Sequence, residues 1–225
     1  MKVRFLSVQQ IEAAVAELLR NFAATIGRAV EAPVPIEDIL EKHLKLKLEI
    51  KDLVKFLGIA DVLGAVWFEE AIVRIDERLL EQEGRFCFTV GHELGHWILH
   101  RSQVQVAERA PSLFGSGDGP PTFVCRTAER RAPAEWQADQ FSALLLMPSA
   151  LVRSAFIAEC GSAVVIDGLK TRRDDADVIS KWRDVAAAVR SKGRFSNVSN
   201  EAMRYRLADL GLVRPPDGSQ TSLLV

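Results

Sequence analysis

The sequence predicts an α+β fold, a small sheet packed on helices with a smaller helical region after it. Three observations carry this prediction. Apolar residues recur at helical spacing in several stretches, two short runs between 64 and 75 have the composition of paired strands, and after Pro148 the pattern turns basic and helical. A chain of 225 residues holds one sizeable core and a minor one. We place a catalytic-sized domain in residues 1–150 and a helical region in 151–225.

Ser7 and Gln10 form a capping-box pattern, and Ile11, Val15, Leu18, Leu19, Phe22 and Ile26 then mark one face of a long first helix. Pro35 opens a second helical stretch, 36–44, after which Lys45 to Ile50 alternates like a half-buried strand. The runs 64–68 and 71–75, separated by Glu69-Glu70, have hairpin spacing with poor turn chemistry. Helical patterns return at 85–100 and 133–147, the latter stopped by Pro148. Between them, Gly115 to Pro121 is too rich in Gly and Pro for a plain connection, which makes it partly disordered or a substrate-facing flap. After Pro148 come the basic stretches 169–173 and 181–183. Then 185–190, the polar turn Asn197-Val198-Ser199 and 200–211 resemble a helix-turn-helix near 185–212, with a loose tail from Pro215.

Nearly half of the residues are hydrophobic (48%) and 26% are charged, with a formal net charge of −1, so global charge names no partner. No secretion signal and no uninterrupted apolar run of bilayer length is evident, so we expect a soluble, cytoplasmic protein with no membrane association. Cys87, Cys125 and Cys160 show no CxxC pairing, which argues against disulfides and cysteine zinc sites and favours three small buried hydrophobes.

His92-Glu93-Leu94-Gly95-His96 is an HExxH sequence inside a helical pattern. Histidines four apart rise about 6 Å and share one face, so both rings can converge on one zinc ion. Glu93, beside the first ligand, can reach a water at the metal without binding the metal, which suits a general base. An exposed pair of helix histidines beside a solvated Glu would read the same. The second helix offers Glu135 and Asp139, also four apart: Glu135 as third ligand, Asp139 as acceptor for the distal N–H of a ligating histidine. The plainer alternative is a polar stripe, since carboxylates are favoured in a first helical turn. His100 lies about 12 Å along the helix from His92, too far to be a ligand. His43 reads as a surface histidine. Cys125 could in principle cover the zinc as a fourth ligand and keep an enzyme silent.

The run Arg85 to His96 followed by Glu135-Trp136-Gln137-Ala138-Asp139 and on to Met147-Pro148 resembles the ImmA/IrrE family of bacterial metallopeptidases, over roughly the first 150 residues. The resemblance implies a zincin-like fold, a gluzincin-type zinc site and a regulatory protease that cuts a helix-turn-helix repressor. It places the ligands on His92, His96 and Glu135 and the catalytic carboxylate on Glu93. Asp139 stands where the family often has Asn or Asp. The C-terminal part is similar to the helical extension of some members, and there is no room for a larger sensor domain.

Two other readings compete. A basic face of Lys181, Arg183, Arg190, Lys192, Arg194, Arg204 and Arg206 would make the chain a DNA-binding regulator, although such faces are often only solvated. A purely structural zinc would need its open position closed. For oxyanion stabilisation, Tyr205, His100 and a backbone N–H stay open.

Overall fold

The structure is a computed structural model that describes residues 3–104, 120–126, 132–169 and 175–216. The chain forms two units, Met1–Ala29 with Pro35–Ser142, and Val30–Val34 with Ala143–Val225.

In the first unit, helix α1 (Val8–Ile26) starts at the capping box of Ser7 and Gln10, buries Ile11, Val15, Leu18 and Phe22, and ends at Gly27 in the left-handed region. Helix α2 (Ile36–Asp38) continues as a π-helical turn, Ile39–His43, so the second helical stretch is shorter and wider than its apolar spacing suggests. His43 is half-buried rather than a surface residue. Its Nδ1 lies 3.1 Å from Thr25 Oγ1 and its ring meets Phe22 edge-on.

Strand β1 (Lys47–Lys51) leads through the short helix α3 (Leu53–Leu57), capped by Asp52, to strands β2 (Val62–Trp67) and β3 (Ile72–Asp76). The expected hairpin is present, but Trp67 pairs with Ile72, so its loop is four residues, 68–71, with Ala71 at φ 55° in place of a two-residue turn. A short 3₁₀ turn, Glu77–Leu79, precedes the long helix α4 (Glu83–Val104).

The connection after α4 contains a strand that the sequence reading missed, β4 (Phe123–Arg126), before helix α5 (Pro133–Leu146). Of the stretch expected to be a flap, Gly115 to Pro121, residues 115–119 lie outside the described residues. The sheet order is β1-β3-β2-β4, with β1 parallel to β3 and β2 antiparallel to both of its neighbours. One sheet face is braced by Arg74, whose guanidinium lies 4.9 Å from the Phe56 ring centroid and 4.4 Å from that of Trp67, while its Nε donates to Glu49 Oε2 at 2.7 Å.

From Phe86 to His100, every α4 residue except Phe88 and Ile98 is buried. The helix is therefore wrapped on nearly all sides, and its polar residues need partners inside the protein. Glycine lets α5 come close. A Cβ on Gly95 would stand 2.9 Å from the Ala138 Cα, and one on Gly91 would stand 2.5 Å from Ser142 Oγ. Ser142 Oγ also donates to the Phe88 carbonyl at 2.8 Å, fastening α5 to α4.

In the second unit, α6 (Ser149–Cys160) follows Pro148, and the two-residue strand β5 (Val164–Val165) pairs in parallel with β6 (Val213–Arg214), a small ladder not read from the sequence. Helix α7 (Ala176–Lys192) is capped by Asp175 and helix α8 (Asn200–Asp209) by Ser199, giving the helix, turn and helix expected there. Residues 170–173 of the expected basic stretch 169–173 lie outside the described residues.

The basic face is narrower than its sequence suggests. Arg206 is buried and donates to the Met147 carbonyl and Ser149 Oγ, and Arg204 stacks on Trp182 at 4.5 Å. Both serve packing within this unit. Among the described residues, no single helix is long and apolar enough to cross a membrane.

Candidate metal centre

The close crossing of α4 and α5 sets Glu135 opposite His92 and His96. The Nε2 atoms of the two histidines are 3.0 Å apart, and the Glu135 carboxylate lies 3.1 Å from His92 Nε2 and 3.3 Å from His96 Nε2. In a tetrahedral site with bonds near 2.05 Å, donor atoms stand about 3.4 Å apart, close to these spacings. Three lone-pair donors aimed at one point suit a small cation, and zinc accepts this nitrogen and carboxylate set.

Each histidine has its tautomer fixed from behind. His92 Nδ1 donates to Asp139 Oδ1 at 2.9 Å, leaving Nε2 free to ligate, which is the place the sequence reading gave Asp139. Behind His96 stands a relay that the reading missed. The Gln137 side-chain amide donates to the Arg4 carbonyl at 3.1 Å, so its oxygen faces His100 Nε2 at 3.3 Å and accepts the N–H there. His100 Nδ1 is then an acceptor for His96 Nδ1–H at 3.0 Å, and His96 Nε2 keeps its lone pair for a metal. His100 and Gln137 are fully buried. The signal in the sequence was the recurrence of polar residues at four-residue spacing on a helix otherwise apolar.

Electrostatics separate the carboxylates. Burial opposes the charge on Glu135, but the imidazoles of His92 and His96 facing it overcome this, by hydrogen bonds whenever their Nε2 atoms carry protons, and hold its pKa down at about 2. Glu93 is fully buried and neither of its carboxylate oxygens has a hydrogen-bond partner among the described residues; burial raises its pKa to about 8. Burial lowers His96 to about 4. A Cβ on Gly64 of β2 would come within 2.9 Å of Glu93 Oε1 and 2.7 Å of the Thr89 methyl, so the missing side chain at Gly64 is what admits the Glu93 carboxylate beneath the sheet.

A narrow pocket of about 40 Å³ opens on these groups, lined among others by Thr89, His92, Cys125, Glu135 and Asp139. Residues 57–158, which hold all of the groups just described except Arg4, match the family model of the IrrE N-terminal-like domain, Peptidase_M78. Over those residues the chain is similar to the metallopeptidase domain of the ImmA/IrrE family. No curated protein matches the chain. The match begins at the end of α3 and stops within α6, so the matched segment contains β2, β3, β4 and both site helices.

Other sequence expectations fall differently. His100 is no ligand, as its distance along α4 implied, and with both ring nitrogens engaged it is not free to stabilise an oxyanion. Tyr205 belongs to the second unit, where it packs edge-on against Trp182. Of the cysteines, only Cys87 is a buried hydrophobe; Cys160 and Cys125 are partly exposed, and Cys125 lines the metallopeptidase pocket.

Proposed function

We propose that this protein is a zinc-dependent, gluzincin-type endopeptidase in which His92, His96 and Glu135 hold the ion and Glu93 is the general base. The observation that carries the reading is the convergence of three donors on one point beside a buried, unpartnered carboxylate. A bound zinc ion supplies a Lewis acid for the scissile carbonyl and acidifies water. Glu93 takes the proton of the attacking water and passes it to the leaving nitrogen. Asp139, and His100 with Gln137, keep the two imidazoles oriented with their lone pairs forward. Burial raises the Glu93 pKa to about 8, and a cation held by the neighbouring donors would draw it back toward the ionised form that a base needs.

For the substrate, we propose a helix-turn-helix transcriptional repressor in the cytoplasm, cut once in a segment able to extend along a sheet edge, in a regulatory or stress response. The family resemblance supports this, as does the helix, turn and helix of α7 and α8, which fits a protein working among transcription regulators. Internal packing of Arg206 and Arg204 counts against direct DNA binding by that region. The test incubates zinc-loaded protein with the repressor encoded beside it, with Glu93→Gln as control, and maps fragments by mass spectrometry. Single-site cleavage by the wild type alone supports the reading; an intact repressor with and without its inducing signal overturns the substrate.

A further inference from the structure

We infer that Cys125 is a fourth ligand to the metal of this site, carried there by a strand that occupies the sheet edge an extended substrate would use, so that the protein is latent as folded. The inference rests on the zinc site proposed above and concerns its regulation.

Two alternate residues of β4 each lie on a proposed ligand. The Phe123 ring stacks on His96, with centroids 4.0 Å apart and planes 16° from parallel. Cys125, two residues on and so on the same sheet face, places its sulfur beside a His92 ring nitrogen. The Cys125 sulfur, a His92 ring nitrogen and a Glu93 carboxylate oxygen all lie within 4.8 Å of one another. The thiol thus faces a cluster of buried acceptors rather than the apolar surroundings of an inert buried cysteine. Its neighbour across the ladder is Gly64, the residue whose missing side chain admits Glu93. Cysteine sulfur is among the strongest zinc ligands, and His92, His96 and Glu135 leave one tetrahedral position open. On binding there, the thiol releases its proton to solvent and the sulfur excludes a water from that position.

Strand β4 also blocks the substrate. Strand β2 passes over Glu93 at Gly64, and its outer edge is where an antiparallel peptide would add; β4 already pairs there. The remaining pocket, about 40 Å³ with Cys125 in its wall, is of the size a few waters fill. Detachment of β4 would free the sheet edge and the fourth metal position together.

Cobalt substitution of the full chain tests this. With Co²⁺, the wild type is expected to show a near-ultraviolet thiolate-to-cobalt charge-transfer band that Cys125→Ser lacks and Cys87→Ala and Cys160→Ser retain. In unmutated protein, zinc should slow iodoacetamide labelling of Cys125 by about tenfold or more, and leave labelling of Cys160 unchanged. This second measurement stands even if Cys125→Ser fails to fold. Visible cobalt bands of a tetrahedral site without the charge-transfer band, or labelling of Cys125 indifferent to zinc, would overturn the fourth ligand and leave the zinc site standing. Absence of any cobalt spectrum, with zinc-indifferent labelling, would remove both.

Discussion

Gln137 accepts the Nε2–H of His100, and through that one contact a side chain with no reach to the metal decides which nitrogen of His96 can bind it. Removing either relay member lets His96 take the other tautomer. We predict that Gln137→Leu and His100→Phe each weaken zinc binding by about ten- to a hundredfold, measured by competition with a chromophoric chelator. Affinity equal to wild type in both would mean that the relay is only packing.

Glu135→Ala should cost more zinc affinity than Asp139→Ala, since the first removes a donor and the second only an orienting acceptor. Glu93→Gln should keep full affinity and lose cleavage. Metal analysis of the three variants side by side checks the ranking; equal affinity in Glu135→Ala and wild type would remove Glu135 from the ligand set.

Gly95→Ala drives a methyl group to 2.9 Å from the Ala138 backbone, where no flexible side chain can yield. The helices must separate, with destabilisation of about 1–3 kcal/mol. Because Glu135 and the histidines sit on opposite sides of that crossing, zinc affinity should fall with the thermal midpoint. A midpoint equal to wild type by calorimetry would show that the crossing relaxes freely.

Gly64→Ala separates base from ligands. Its methyl would meet Glu93 Oε1 and the Thr89 methyl, not the histidines. Cleavage is expected to drop by about a hundredfold with zinc affinity kept, an effect of misplacing the base. Proportional loss of both quantities would contradict this.

Glu49 should dominate part of the acid unfolding. Hydrogen bonds from Lys47 and then Arg74 lower its pKa from 4.5 to about 2. A depressed carboxyl stabilises the fold above its unfolded pKa and loses that contribution as pH falls from 4.5 toward 2. The full shift corresponds to roughly 3 kcal/mol, reduced to about 1–2 kcal/mol because Lys47 is well exposed. Urea titrations at pH 6 and pH 3 should show Glu49→Gln destabilised at the former and by less than half as much at the latter; a constant difference would contradict the linkage.

Much of the metal centre was legible in the sequence because helical spacing alone puts His92 and His96 on one face, and Glu135 and Asp139 on another. The capping box at Ser7 and the stop at Pro148 were legible for the same reason, being local. What the sequence hid was long-range. Strand β4 exists only because β2 offers it an edge, and four residues after a Pro-Pro pair give little periodicity to read. Gly91 and Gly95 are poor helix formers by propensity, and only the crossing of α5 shows why they are there. Nothing in the sequence marks Gln137, between Glu135 and Asp139, as a link from Arg4 to His100.

The proposed ligands come from two helices, and that arrangement has a mechanical meaning. An ion tied to His96 and to Glu135 cross-links positions 39 residues apart (135 − 96 = 39), and a covalent link across a loop of that size removes about 4 kcal/mol of unfolded-state entropy. The same ion would then be a rivet as well as a reagent. Chelation should loosen the α4 and α5 pairing before any other part of this unit, so zinc starvation would mark the protein for proteolysis, and the amount of protein present, not only its rate, would follow zinc supply.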